Sequence, residues 1–175
     1  MKVILNADQI DAALADLTDR VVESIPSKTE IVVIGLRSRG EIIAQRLAGS
    51  LSKKLSKVIP CGTLDITLYR DDINDPHGEG QPTVRSTEIP FDICERIVIL
   101  VDDVLYTGRS IRAAMDALID LGRPKAIRLA VLVDRGHREL PIQADYYTVK
   151  VDILPKKTVE VSLVETDDKD QVIVQ

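Results

Sequence analysis

Residues 98–110 read Val98-Ile99-Leu100-Val101-Asp102-Asp103-Val104-Leu105-Tyr106-Thr107-Gly108-Arg109-Ser110. The apolar run that opens them begins at Ile97 and predicts a strand buried on both faces of a sheet. Two carboxylates follow this run directly, and Thr107 to Ser110 then open a helix. In open α/β sheets, ligands bind at the edge formed by the carboxyl ends of the strands. The segment therefore predicts both the fold class and the place of a binding site.

Strand and helix patterns repeat on both sides of this segment. Residues 31–36 are a second apolar, β-branched run, and an apolar residue recurs every fourth position between about Gly40 and Leu51. This is the pattern of a strand and its crossover helix in a βαβ unit. A helix from Ile111 that stops at Gly122 follows residues 98–110 in the same way. The chain is therefore predicted to be an α/β protein with a mostly parallel sheet.

Further elements follow from periodicity. The capping residue Asn6 begins an amphipathic helix that ends before Pro26. Residues 126–133 and 158–163 predict two strands. Residues 63–69 alternate polar and apolar side chains, which predicts a half-buried strand. Its inward residues are predicted to be Leu64, Ile66 and Leu68.

Residues 70–90 break these patterns. They hold two glycines and three prolines among acidic residues, and no run is long enough for an interior element. A loop of this length inside one compact domain is unusual and is typical of a functional element. We predict a flexible lid or a long hairpin.

The composition is that of one soluble globular domain spanning residues 1–175, with 45% hydrophobic and 29% charged residues. The net charge of −5 gives nucleic acid or an anionic membrane no global attraction. No apolar stretch approaches the length of a membrane span. Cys61 and Cys94 lie far apart without metal-ligand spacing, which favours free thiols in a reducing compartment. We therefore expect a cytoplasmic protein.

The helix start at Thr107 to Ser110 suits a phosphate, because free N–H groups and hydroxyls converge there and Gly108 allows a close approach. The Asp102 and Asp103 carboxylates would repel that phosphate unless they face sugar hydroxyls or a divalent cation. A phosphorylated sugar lying lengthwise satisfies both ends. An acidic strand end before a Ser/Thr-capped helix is an equally open structural interpretation.

A second loop, Gly35-Leu36-Arg37-Ser38-Arg39-Gly40, also joins a strand to a helix. Glu41 and Ile42 follow it where a P-loop needs lysine and a hydroxyl residue, so a P-loop nucleotide site is rejected. Two guanidinium groups beside a helix start suit a polyanion such as pyrophosphate. The alternative is a surface loop with solvated ion pairs. Both loops are predicted to meet at one edge of the sheet.

Residues 98–110 resemble the phosphoribosyl pyrophosphate (PRPP) binding motif of type I phosphoribosyltransferases. The segments Asp65 to Asp72, Ala113 to Leu118 and Leu132 to Ile142 are similar to those of the PyrR family. The resemblance runs from about Val3 to Tyr146 and again from about Lys157 to the end. It implies the type I phosphoribosyltransferase fold, with a twisted sheet, helices on both faces and a flexible hood.

The resemblance also implies roles by position. Asp102 and Asp103 would hold the ribose hydroxyls and, through PRPP, an indirectly bound Mg²⁺. Arg70 would join them in catalysis at the base of the lid. The remaining PRPP-binding positions would be Val98, Ile99, Leu100, Val101, Val104, Leu105, Tyr106, Thr107, Gly108, Arg109 and Ser110. The pyrophosphate would be bound by Arg37, Ser38, Arg39 and Gly40.

For the base, the resemblance implies Asp134, Arg135 and the backbone around Tyr146. The His137–Arg138 pair would face RNA, although His137 could equally cap a turn. The implied activity is uracil phosphoribosyltransferase, making UMP, with binding of pyrimidine-operon mRNA under control of UMP or UTP. A homodimer or tetramer is also implied.

Three alternatives stay open at this point. The chain could be an RNA-binding attenuator with residual activity, a transferase for another base, or a PRPP-binding module without turnover. One observation argues against RNA binding. The segment from Asn6 to Ser24 holds five acidic residues and only one basic residue, Arg20, and its net negative charge would repel RNA phosphates.

Overall fold

The computed structural model describes residues 1–70 and 86–175. The predicted lid therefore falls mainly on residues 71–85, outside the described part of the chain. The elements, in chain order, are β1 Lys2–Leu5, α1 Ala7–Ser24, β2 Ile31–Leu36, α2 Arg39–Leu55, β3 Cys61–Leu64, a 3-10 helix Thr67–Tyr69, β4 Ile97–Leu105, α3 Arg109–Leu121, β5 Ala126–Asp134, β6 Tyr146–Lys150, β7 Val159–Ser162, α4 Val164–Asp167 and β8 Gln171–Val174.

Five parallel strands form the main sheet in the order β3-β2-β4-β5-β6. Alternate residues of each strand point to opposite faces, so both faces need cover when every residue is apolar. Val33 and Ile99 pack in one core with α1 and α2, whereas Ile34 and Leu100 pack in a second core with α3. The predicted α/β architecture with helices on both faces is confirmed.

A second, antiparallel sheet of three strands, in the order β1-β8-β7, stands beside the main one. The strand predicted at residues 158–163 is confirmed as β7, but it belongs to this smaller sheet. No pattern predicted β1, β6 or β8, which are only four or five residues long. Short strands carry few alternations, and β7 was recognised because its alternation extends over residues 158–163.

The strand predicted over residues 63–69 is wrong in its second half. β3 ends at Leu64, and a 3-10 helix follows in which Leu68 is 79% exposed. Asp65 explains the change, because its carboxylate accepts hydrogen bonds from the backbone N–H and the hydroxyl of Thr67. Such a local side-chain bond competes with a strand ladder and turns the chain.

The helix boundaries follow their capping signals. Asn6 and Gln9 exchange hydrogen bonds between side chain and backbone at the start of α1, as the capping-box pattern predicts. Helix α3 ends at Leu121 before Gly122. Among the described residues, none of the helices combines the length and apolar character that a bilayer-spanning helix needs.

Gly35 brings α2 against the end of β2. A Cβ at this position would lie 2.5 Å from the carbonyl oxygen of Gly40 and 2.6 Å from Cα of Glu41. Both neighbours are backbone atoms of the loop and helix that follow, so they cannot rotate aside. Glycine is therefore required here for close packing of helix on strand.

We expect Gly35→Ala to lower the free energy of unfolding by about 1–3 kcal/mol, because α2 must shift to admit the methyl group. Gly49→Ala, within α2, is the matched control, since nothing lies within 4 Å of the Cβ position of Gly49. That control should raise stability by about 0.5–1 kcal/mol through helix propensity. Urea unfolding measures both. Equal effects of the two substitutions would contradict the packing argument.

Candidate functional site

Two adjoining cavities open at the carboxyl end of β4. One, of about 310 Å³, is lined by the start of α3, and the other, of about 280 Å³, by the loop before α2. The residues that line both cavities are Arg70, Asp102, Val104 and Ser110. The two loops singled out in the sequence therefore meet at one edge, as predicted, with the β4 carboxylates between them.

The chain geometry at the end of β4 fixes the two carboxylates. Oδ1 of Asp102 accepts the backbone N–H of Asp103 at 2.9 Å, and Oδ1 of Asp103 accepts that of Val104 at 2.8 Å. Gly40 packs against this part of β4, since a Cβ there would lie 2.7 Å from the carbonyl oxygen of Val101. Each carboxylate keeps its second oxygen outside these bonds, which leaves it available to accept a ligand hydroxyl.

Electrostatics distinguish Asp102 from an ordinary surface acid. Burial raises the pKa of Asp102 well above its usual value, and the neighbouring Asp103 carboxylate raises it further, while Arg70 opposes this. A ligand that donates hydroxyl hydrogens or develops positive charge relieves the unfavourable burial of this charge. The site is thus suited to a polyol that carries anionic groups at its two ends.

The first cavity has the features of a phosphate site. Gly108 has φ +93° and precedes α3 without a side-chain cap, and Thr107 to Ile111 line the space in front of the helix start. The left-handed conformation favours glycine. The Arg109 N–H donates to the Thr107 hydroxyl at 3.3 Å, which leaves the N–H groups of Ser110 and Ile111 to face an anion. Arg109 donates from Nε to Glu139 at 2.6 Å, and Glu139 also lines the cavity.

The four apolar residues at the start of the PRPP motif lie elsewhere. Val98, Ile99, Leu100 and Val101 are at most 1% exposed and fill the two cores. Their side chains support the site from below and do not line either cavity. Tyr106, in contrast, lines the phosphate cavity, and the guanidinium of Arg135 stacks 3.6 Å from its ring centre.

The second cavity contains the candidate pyrophosphate loop, whose Arg37–Ser38 peptide bond is cis. Arg37 donates from Nε to the carbonyl oxygen of Ser86 at 2.9 Å and from Nη2 to Glu88 at 3.0 Å. Arg39 is held by Asp167. Asp65 and Thr67 also line this cavity.

Candidate base residues lie at the end of β5. Asp134 is only 7% exposed and accepts hydrogen bonds from the Gly136 N–H at 2.9 Å and from Nη2 of Arg138 at 2.6 Å. Arg135 is 4% exposed and donates to the carbonyl oxygens of Pro155 and Lys157. Asp134 borders an open cavity of about 650 Å³ beside this strand end.

Tyr146 is not brought to this edge. It pairs with Ala130 near the start of β6, whereas the site lies where Asp134 pairs with Lys150. Four residues of strand separate these positions by about 13 Å. The Tyr146 side chain packs in the core below α1 and hydrogen-bonds Ser24. The strand register therefore keeps Tyr146 four residues away from the site edge, and its assignment to the base stays a prediction that this register does not favour.

His137 and Arg138 form a loop outside both cavities. Nε2 of His137 lies 2.9 Å from the carbonyl oxygen of Ile153, which is the turn contact considered as its alternative role. Arg138 donates to Asp134 and to the carbonyl oxygens of Leu105, Tyr106, Gly136 and Ile142. These bonds fold the guanidinium of Arg138 onto its own loop, a geometry that does not favour RNA contact by this side chain.

A divalent cation fits these residues only as a companion of the substrate. No group of three or more His, Cys, Asp or Glu side chains converges on an ion position within residues 1–70 and 86–175. Mg²⁺ takes about six oxygen ligands and is commonly held by one or two carboxylates together with phosphate oxygens and water. Asp102 and Asp103 would hold such an ion only indirectly, through a bound substrate whose diphosphate oxygens, together with water, would supply its ligands.

Local patterns did not reveal Glu139 and Asp167. Each is an ordinary surface acid in the sequence, and each pairs with an arginine of the site. The two partners are 30 and 128 residues apart in the chain. Only the folded arrangement brings them together.

Comparison with known proteins agrees with this geometry. A family model described as the phosphoribosyl transferase domain matches residues 2–169. The bifunctional protein PyrR of Deinococcus radiodurans is 51% identical over 97% of this chain and 91% of its own length. The bifunctional protein PyrR of Bacillus cereus is 49% identical over 98% of this chain and 96% of its own.

Solved structures support the fold at lower identity. Hypoxanthine phosphoribosyl transferase of Trypanosoma cruzi superposes with a TM-score of 0.73 at 15% identity, covering 99% of this chain and 90% of that one. A purine phosphoribosyltransferase from Pyrococcus horikoshii gives 0.64 at 26% identity, covering 85% and 87%.

The raised pKa of Asp102 predicts a pH dependence of stability. Between its unfolded and folded pKa values the folded chain binds more protons, so this contribution to stability is lost as pH rises through the folded value. Asp102→Asn removes this titrating group. We therefore expect the melting temperature of the variant, relative to that of the native chain, to increase as pH rises from 5 to 8.5. Asp11→Asn, on the exposed face of α1, is the control. Parallel pH profiles for all three proteins would contradict the prediction.

Proposed function

The chain belongs to the PyrR family of phosphoribosyltransferases, and on this premise we propose that it transfers the phosphoribosyl group of PRPP to uracil. The products are UMP and pyrophosphate. The observation that carries the proposal is the pair of adjoining cavities, each at a helix start, with Asp102 and Asp103 between them. PRPP has the matching layout of two anionic ends about one ribose.

In this arrangement the 5′-phosphate lies at the start of α3, against Thr107 to Ser110. The ribose hydroxyls donate to Asp102 and Asp103, and the pyrophosphate lies over the loop before α2. Uracil then approaches C1′ from the side of Asp134. These contacts fix the distance and direction of attack, which lowers the barrier to a reaction between two bound molecules.

The reaction forms a bond from uracil N1 to C1′ and breaks the bond from C1′ to the pyrophosphate oxygen. The N1 proton is released. Positive charge develops on the ribose ring in the transition state, and the two carboxylates lie beneath that ring. Fixed charges of this kind stabilise the transition state without reorganisation. Arg70, which lines both cavities, faces the negative charge that grows on the leaving group.

Mg²⁺ bound with PRPP supplies neutralisation of the pyrophosphate charge. Asp102 and Asp103 would hold it indirectly, through the ribose and diphosphate. The lid predicted from the sequence over residues 70–90, most of which lies outside the described residues, would exclude water from PRPP. A homodimer or tetramer and a cytoplasmic location stay predictions that accompany this function.

A second function, uridine-nucleotide-dependent binding of pyrimidine-operon mRNA, is favoured by the name of the relatives, which calls them bifunctional. UMP or UTP would bind in the same cavities. The acidic residues of α1 oppose phosphate contacts on the exposed face of this helix. Two of them are partly neutralised, because Asp16 pairs with Arg20 and Asp19 pairs with Lys54. We therefore propose RNA binding as the subordinate activity of this chain.

The transferase is tested by incubating the chain with PRPP, Mg²⁺ and each nucleobase and measuring pyrophosphate release. Uracil is expected to give release and UMP. Asp103→Asn should raise the KM for PRPP by about 10–100-fold, because a charge-assisted hydrogen bond to a ribose hydroxyl is lost. Its melting temperature should change little, since an asparagine oxygen still accepts the Val104 N–H.

Asp11→Asn should leave the kinetics of that assay at the native values. Absence of pyrophosphate release with every base would refute catalysis, and release with a purine alone would assign the chain to another base. Unfolding of Asp103→Asn with unchanged PRPP affinity would show that this carboxylate is structural.

RNA binding is tested by retention of a pyrimidine-operon leader transcript at low salt with UMP present. We expect retention that falls steeply as salt rises, because phosphate contacts release counterions. A transcript of unrelated sequence is the control. No retention at low salt with the nucleotide present would eliminate the regulatory function.

A further inference from the structure

Asp167, in the hairpin between β7 and β8, grips an arginine of the candidate pyrophosphate loop. Nε of Arg39 donates to Oδ2 of Asp167 at 3.3 Å, and Nη2 donates to Oδ1 at 3.0 Å. This is a two-point contact along one edge of the guanidinium, which fixes its plane as well as its position. Arg39 lines the cavity of about 280 Å³.

The carboxylate of Asp167 is itself fixed. Its Oδ2 also accepts the Leu163 N–H at 3.0 Å and the Thr166 hydroxyl at 2.9 Å. These bonds, together with Arg39, lower the pKa of Asp167 to about 2, so the group is charged throughout the neutral range. Arg39 is therefore bound to a rigid anchor.

One edge of Arg39 stays outside this contact. Within residues 1–70 and 86–175 its Nη1 has no protein hydrogen-bond partner. Arg37 differs, because Nε, Nη1 and Nη2 face Ser86, Glu41 and Glu88 respectively. All three nitrogens of Arg37 thus already face a protein oxygen, whereas Arg39 can bind an anion through Nη1 while Asp167 still holds Nε and Nη2.

The same hairpin makes a second arginine contact that serves as a comparison. Arg46, two turns further along α2, donates to Asp170 at 2.7 Å and to Glu165 at 2.6 Å. Asp170 also accepts a backbone N–H, from Val164. The two aspartates therefore have the same chemistry and the same helix as partner, but Arg46 does not line the cavity.

We propose that Asp167 is a positioning residue for pyrophosphate binding. It holds Arg39 in the orientation that presents Nη1 to the diphosphate of PRPP. This inference rests on the proposed function of the site. A preoriented donor loses no freedom when the anion arrives, so the anion is bound more tightly. The C-terminal hairpin thereby becomes part of the substrate site, although none of its residues lines either cavity.

The test compares Asp167→Asn with Asp170→Asn. Both variants keep an oxygen that accepts the backbone N–H of the turn, and both lose a charged partner of an α2 arginine. For Asp167→Asn we expect the KM for PRPP and the inhibition constant for pyrophosphate to rise about tenfold together, with the KM for uracil unchanged. For Asp170→Asn we expect both constants at native values. Asp167→Glu should recover part of the loss.

Calorimetric titration with magnesium pyrophosphate separates this inference from the proposed function. The native chain is expected to bind it, and Asp167→Asn to bind it about tenfold more weakly, even if no base supports turnover. Native binding without turnover would refute the transferase and leave the inference standing. Equal affinity in Asp167→Asn and Asp170→Asn, or no binding by the native chain, would overturn the inference.

Discussion

Asp102 and Asp103 place like charges on consecutive residues at the end of β4, where the fold has removed much of the surrounding water. Burial and mutual repulsion raise the pKa of Asp102, so the ionised pair is unfavourable without a partner. The rest of the site supplies what such a pair needs. Helix starts on both sides attract the anionic ends of a ligand, and the carboxylates are left to face its hydroxyls and any positive charge that develops between them.

This arrangement depends on close packing that only particular residues allow. Gly35 and Gly40 let the start of α2 approach β2 and β4, and Gly108 turns the chain into α3 with a positive φ. Strand β4, which is apolar from Ile97 to Val101, carries the two carboxylates between these two helices. Strand β4 therefore belongs to both the core and the site, because it lies at the centre of the main sheet and also carries the acidic pair.

Much of the fold and of the site could be predicted from the sequence, because short runs of consecutive residues determine these elements. Apolar runs identified β2 and β4, and glycine and hydroxyl residues identified the loops beyond them. The strand expected over residues 63–69 is wrong in its second half because Asp65 makes a local turn. The contacts of Arg39 with Asp167 and of Arg109 with Glu139 could not be predicted, since they join residues distant in the chain. The position of Tyr146 depended on strand register, which periodicity does not determine.

The most direct measurement is a crystal structure of the chain with PRPP and Mg²⁺. The account predicts one PRPP molecule across both cavities, with its 5′-phosphate at the start of α3 and its pyrophosphate over the loop of Arg37 to Gly40. Its ribose hydroxyls should lie within hydrogen-bond distance of Asp102 and Asp103. A ribose turned away from these carboxylates, or a PRPP bound outside the two cavities, would contradict it.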